Sequence, residues 1–271
     1  MSKEDLVEYC APSMEHPVAI VLGSGLGALA DRVKVVRRIP YEDIDGFPQE
    51  ALPIEGHRFE VLVGTIDGVP VVVYPGRVHL YQGYNALQVT SLVRHAHRLG
   101  CRDIILTCAS GAVRDAKPGT FGLITDQMNL TGHNPLSTPE GAAHSLFDTP
   151  FVPMTGAYSN YLTTFAREAA EVGVECSEGT YVGMLGPSFE TDAEVKALGI
   201  LGADYVGCST VCEAIMARAL KMQVLGLTLV TNKAGAADNS HEAELAAGNA
   251  AADDTTGVLL GVLRRLGGLQ A

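Results

Sequence analysis

The chain has 271 residues, 47% of them apolar, and a formal net charge of −12. That length is ample for a closed hydrophobic core, and the composition excludes a fibrous or low-complexity chain. The acidic balance argues against a nucleic-acid partner, which needs a basic stripe to displace counterions, and no apolar window approaches the roughly eighteen residues of a membrane span.

The first residues, MSKEDLVEYCAPSMEHP, lack a basic start followed by an apolar core, so a cytosolic protein is expected. The apolar run 18–22 reads as a strand and leads into Gly23-Ser24-Gly25-Leu26-Gly27-Ala28, a glycine-rich turn expected to open a helix. Two ligands suit such a loop. Gly23, Gly25 and Ala28 fit a dinucleotide fingerprint, but the following segment 32–39 is a short mixed strand, and Asp43 and Asp45 lie in a loop bounded by Pro and Gly. The other reading is a single phosphate held by exposed amides and the Ser24 hydroxyl, which needs the glycines for the same steric reason.

Further along, 59–66, 69–74, 103–107, 179–184, 204–208 and 224–230 read as strands. Helical periodicity covers 86–99, 160–171, 192–198, 211–220 and a long stretch from Glu242. The alternation predicts an α/β fold with a central, largely parallel or mixed sheet covered on both faces. Residues 131–155, rich in Pro, Gly, Ser and Thr, read as a long surface excursion. Two Thr-x-x-Glu boxes, Thr191 to Glu194 and Thr210 to Glu213, mark helix starts, so Glu190 and Ser209 fall at junctions where α/β proteins bind ligands. The six cysteines, at 10, 101, 108, 176, 208 and 212, form no CxxC pair, and no metal site is expected.

Four donors are positioned to converge on an anion. Arg77 supplies a planar fork and His79 lies two residues on, along an extended segment. Ser209 stands at a helix N-terminus, and Ser24 sits in the glycine loop. These residues belong to a longer series: Gly56-His57, Gly76-Arg77-Val78-His79-Leu80-Tyr81-Gln82-Gly83-Tyr84, Gly186-Pro187-Ser188-Phe189-Glu190-Thr191, Gly202 through Thr210, Thr231-Asn232 and Ser240-His241-Glu242. In this order and spacing the chain closely resembles the trimeric purine nucleoside phosphorylases over nearly its whole length.

The resemblance implies a single domain over residues 1–271, a three-layer α/β/α arrangement around a mixed, partly barrel-like sheet, and a homotrimer. It implies phosphorolysis of purine (2′-deoxy)ribonucleosides, preferably inosine and guanosine, with inorganic phosphate as co-substrate and no cofactor. By the same resemblance, phosphate falls to Ser24, Arg77, His79, Ala109 and Ser209, and the catalytic roles to Asn232, Glu190 and His79. Glu190 accepts from N1–H of a 6-oxopurine, and Asn232 donates to N7. Phe189 stacks on the base, Tyr81 and Cys208 lie by the ribose, His241 and His57 border the pocket, and Phe151 arrives from a neighbouring subunit. The attacking group enters as a substrate, so no second carboxylate is needed as a nucleophile.

The chain departs from the family pattern at Cys108 and Ser110, at Gln82 in place of a glutamate, at Cys208 in place of a methionine and at Cys212 in place of a proline. Gln82 is expected to support a protonated His79 less well than a carboxylate would. The competing functions are a methylthioadenosine or xanthosine phosphorylase, a nucleoside-binding protein without catalysis, and a dinucleotide-dependent oxidoreductase.

Overall fold

The computed structural model describes residues 16–23, 26–49, 51, 58–149, 151–170, 175–237, 240, 242, 246–247 and 252–269. Its centre is β1 (Val18–Val21), four apolar residues with no solvent exposure. A strand apolar at every position is stable only when both faces are covered, and here they are. Val18 and Ile20 pack into one cluster with Leu162 and Ala166 of α4 (Asn160–Ala170) and Val258, Leu259 and Leu263 of α7 (Ala252–Leu269). Ala19 and Val21 point the other way, into a cluster with Leu92 and Val93 of α2 (Ser91–Arg98) and Ala214 and Met216 of α6 (Val211–Ala219). The result is the expected three-layer arrangement.

Among the described residues the sheet has nine strands. β1 lies parallel to β4 (Val69–Tyr74) on one side and to β5 (Asp103–Ala112) on the other. On the β4 side the sheet ends in antiparallel β3 (Glu60–Ile66) and β2 (Lys34–Pro40). On the other side β5, β8 (Tyr205–Gly207), β7 (Cys176–Gly183), β6 (Thr120–Asn129) and β9 (Gln223–Lys233) pair in turn, and β9 returns to β5, closing a five-strand circuit. This is the partly barrel-like mixed sheet that the resemblance implied. β2 is an antiparallel edge, so the first two strands do not form the adjacent parallel pair on which a dinucleotide fingerprint depends.

Most predicted elements are present, with differences that have local causes. The helix predicted over 86–99 is two pieces, α1 (Ala86–Val89) and α2. At the break the Thr90 hydroxyl donates to the Ala86 and Leu87 carbonyls, 3.0 Å each, competing with the backbone ladder. β6 has no counterpart in the prediction; its second half is polar and only partly buried. The excursion 131–155 is pinned in part: it carries α3 (Pro139–Ala142), capped by Thr138, and the Leu146 amide donates to the carbonyl of Ala219. α5 (Asp192–Leu201) starts with the predicted Thr191 box, the Glu194 amide donating to the Thr191 hydroxyl oxygen and the Thr191 amide to Glu194 Oε2.

After β1 the chain continues through Gly23 to the expected helix, which is a short 3₁₀ helix (Gly27–Arg32). A Cβ on Gly23 would lie 2.8 Å from the Cys108 Cα and 2.9 Å from the Thr107 carbonyl oxygen, both backbone of β5. The glycine is therefore what lets the loop approach the sheet. Gly23→Ala is expected to destabilise the protein by about 1–3 kcal/mol, since backbone must move to admit one methyl. Urea unfolding of the purified variant measures this.

Candidate active site

Parallel strands β4, β1 and β5 end at one edge of the sheet, where α/β proteins gather ligands. Arg77 follows β4 and turns inward at 2% exposure. Its Nη2 donates to the carbonyls of Val21 (3.1 Å) and Thr107 (2.5 Å), the last residue of β1 and the fifth of β5. The Tyr41 hydroxyl donates to the Gly76 carbonyl at 2.8 Å and fixes the preceding peptide. Arg77 Nη1 donates to Glu213 Oε2 at 2.9 Å, an ion pair with both side chains buried.

That pair corrects one expectation. The Thr210 box does not form in the predicted way: Thr210 has φ of +57° and its side chain caps nothing. Its hydroxyl is buried without a hydrogen-bond partner. Glu213, expected at the outer start of α6, is 3% exposed and faces Arg77. A buried guanidinium makes a charge-assisted bond to a carboxylate that a backbone amide cannot match. A positive φ at a β-branched residue is costly, and such strain clusters at functional sites.

His79 lies beside this pair, with Nε2 3.1 Å from the Ser209 hydroxyl and its ring stacked on Tyr81 at 5.0 Å between centroids. The Ser209 amide donates to the Tyr181 hydroxyl at 3.1 Å. Gln82 reaches back to accept from the backbone amide of His79 at 2.8 Å. A glutamine performs this backbone contact as well as a glutamate does. Arg77, His79, Ser209, Thr210 and Glu213 together line a cavity of about 20 Å³, room for about one water.

Cys208 belongs to the wall of that cavity and also to a second, larger cleft of about 400 Å³. Tyr81, Phe189, Glu190, Cys208 and Asn232, predicted from separate parts of the chain, all line this second cleft, together with Gly111, Met184 and Ser188. Phe189 is 41% exposed there, a large apolar surface facing open space. Burial pushes the Glu190 carboxyl above its ordinary range.

Asn232 is brought to the cleft by a β-bulge. Ser110 pairs with Val230, but Gly111 pairs with Asn232, leaving Thr231 as the extra residue in β9. A bulge re-aims the side chains that follow it. The Thr231 hydroxyl donates to Asn232 Oδ1 at 2.8 Å, and Asn232 Nδ2 donates to the Lys233 carbonyl at 3.2 Å. Because that carbonyl can only accept, the orientation of the amide is determined and its second N–H is left as a donor.

Not every predicted residue joins the site. Ser24, His57 and His241 lie outside the described residues. Ala109 is half-buried in β5, paired with Leu229, and lines neither cavity. Phe151 is 84% exposed and likewise lines neither. Glu213 as a site residue, Tyr181 and Met184 were not anticipated, since each reads as a helix cap or as a strand residue. Among the described residues no cluster of His, Cys, Asp and Glu could hold a metal, and no helix is long and apolar enough to cross a membrane.

A closed mixed barrel with two adjoining cavities at the strand ends defines an α/β ligand-binding enzyme fold, and the model of the phosphorylase superfamily matches residues 17–264. The chain therefore belongs to the phosphorylase superfamily. It is 40% identical over 219 residues to purine nucleoside phosphorylase 1 of Geobacillus stearothermophilus, covering 80% of this chain and 78% of that protein. It is also 40% identical to the purine nucleoside phosphorylase of Mycobacterium tuberculosis, covering 93% and 90% of the two chains. The crystal structure of Schistosoma mansoni purine nucleoside phosphorylase in complex with adenosine superposes with a TM-score of 0.84 at 32% identity, covering 98% and 99% of the two chains.

Proposed function

We propose that this chain, as one domain over residues 1–271, transfers the (deoxy)ribosyl group of a purine nucleoside to inorganic phosphate, with inosine and guanosine preferred. The observation that carries this reading is the pair of cavities that share Cys208 in their walls: one lined by the Arg77–Glu213 pair, His79 and the Ser209 and Thr210 hydroxyls, the other by an apolar ring, a carboxylate and an oriented amide. Relatives named purine nucleoside phosphorylase at 40% identity support it.

In this reading a phosphate oxygen attacks C1′ while the C1′–N9 electron pair leaves with the purine, so positive charge develops on the ribose and negative charge on the base. Arg77, His79 and Ser209, with Ser24 and Ala109, hold the phosphate; the 3.1 Å contact between His79 and Ser209 must open to admit it. Asn232 donates its second N–H to N7 as charge accumulates there, a preorganised interaction strongest in the transition state. Phe189 stacks on the base, Tyr81 and Cys208 bound the ribose, and His241 meets the 5′-hydroxyl. Phe151, exposed on this chain, serves the cleft of a neighbour in a homotrimer. The protein works in the cytosol and uses no cofactor.

The preference for 6-oxopurines follows from Glu190, because a carboxylate accepts from an N1–H that adenine lacks. The related protein holds adenosine in its crystal structure, so base choice is the point to measure. A panel of purine nucleosides, incubated with and without phosphate and resolved by chromatography, tests the reading. Base release that does not require phosphate, or none at all, would refute it.

A pH dependence also follows. With its folded pKa raised above the ordinary 4.5, Glu190 loses its charge at higher pH than a free glutamate does as the solution is acidified. The KM for inosine is expected to rise as pH falls through that range, and Glu190→Gln to show a high KM with this dependence removed. Initial rates across pH for both proteins check it.

A further inference from the structure

The described residues lining the smaller cavity include one carboxylate, and nothing in the proposed chemistry uses it. Glu213 Oε2 holds Arg77 Nη1 at 2.9 Å, while Oε1, and separately the Thr210 hydroxyl of the same cavity wall, are buried and make no hydrogen bond. An anion site walled by a carboxylate carries a group of the wrong sign. The guanidinium that should supply positive charge is already neutralised by that carboxylate before any anion arrives.

We propose that Glu213 is a positioning residue of the phosphate site: it aims the Arg77 guanidinium and, by cancelling its charge, makes binding of a tetrahedral dianion depend on a proton taken up by the site. This rests on the phosphate reading of the cavity given above. The groups facing Glu213 limit where the proton can go. Arg77 is on the segment after β4, and Cys212 is on Glu213's own helix. Tyr41, Cys108 and Tyr158, from three other segments, are near enough to feel its charge. His79 shares the cavity wall. Burial holds the phenols and thiols well above their ordinary range, so they stay neutral and protonated. That leaves Glu213 itself and His79 as the acceptors. Burial raises the Glu213 carboxyl while the Arg77 charge draws it back.

The sign is fixed by linkage: a site that gains a proton on binding an anion binds it less tightly as pH rises. Sulfate is the suitable probe, because it remains a dianion over the range in which phosphate itself titrates. Its dissociation constant, measured by calorimetry between about pH 6 and 9 and checked for displacement by phosphate, is expected to weaken in the native protein. One proton per anion corresponds to about tenfold per pH unit. In Glu213→Gln, which keeps the shape and can still accept from Arg77, the dependence should flatten in the alkaline half and sulfate should bind at least about tenfold tighter at the top of the range. Glu213→Asp keeps the charge with a shorter reach, so it should retain the pH slope with weaker binding throughout. Equal slopes in the native and Gln proteins, or a slope lost in the Asp protein, would overturn the proposal with the phosphate site intact. Failure of all three proteins to bind phosphate-displaceable sulfate would overturn the phosphate reading as well.

Discussion

Asn232→Ala is expected to lower kcat for inosine and guanosine phosphorolysis by about a hundredfold to a thousandfold, with a much smaller change in KM. Removing a preorganised donor that meets developing charge has effects of this size, and they fall on the step where that charge appears. The bulge at Thr231 places the amide at the cleft, and bonds to Thr231 and Lys233 fix its orientation. The donor thus needs little reorganisation when the purine leaves. Asn232→Asp keeps the size but replaces a donor with an acceptor, so it should lose 6-oxopurines and gain ground with 6-aminopurines, which carry a proton donor at C6. Steady-state kinetics with inosine and adenosine on the three proteins decides this. Inosine turnover unchanged in Asn232→Ala would refute the assigned role.

How much of this site the sequence revealed depended on whether a residue's role comes from its neighbours in the chain or from its partners in space. Glu190 precedes a Thr191 box that forms as predicted, so local patterning places it, whereas Phe189 and Tyr81, which line the same cleft, were named by the resemblance. The β1 run, apolar at all four positions, likewise announced a strand. The pattern Thr210 to Glu213 met the same local rule and broke it. A buried guanidinium 136 positions earlier captures the carboxylate, a competition that no local window contains. β6 was missed for a related reason: its apolar part is the short run 121–124, whose Phe121, Leu123 and Ile124 are buried in the two core clusters by distant segments, whereas residues 125–129 carry little apolar signal of their own. Gln82 was read as a change at the imidazole, and the structure adds a role that the residue type alone does not show: it accepts from the backbone amide of His79.

The ion pair at the centre of the site also sets the second large effect. Arg77→Met is expected to destabilise the fold by about 3–5 kcal/mol, because it leaves the Glu213 carboxylate buried without its counter-charge. Loss of a phosphate ligand alone would leave stability untouched, so the size of the loss separates the two functions of the residue. Without Arg77, burial holds the folded-state pKa of Glu213 well above its unfolded value, and the folded protein then binds a proton that the unfolded chain releases. A raised carboxyl pKa makes its full stabilising contribution below the unfolded pKa and loses it as pH rises through the folded one. The deficit of Arg77→Met should therefore shrink on acidification and be largest at neutral and alkaline pH. Adding Glu213→Leu should recover most of the stability at neutral pH and abolish the pH dependence of the deficit, because no buried charge remains to be compensated. Urea unfolding of the single and double variants at two pH values measures all of these terms. A small, pH-independent loss in Arg77→Met would mean that Glu213 reaches water or another cation when Arg77 is gone, and that the pair does not govern the charge of the cavity.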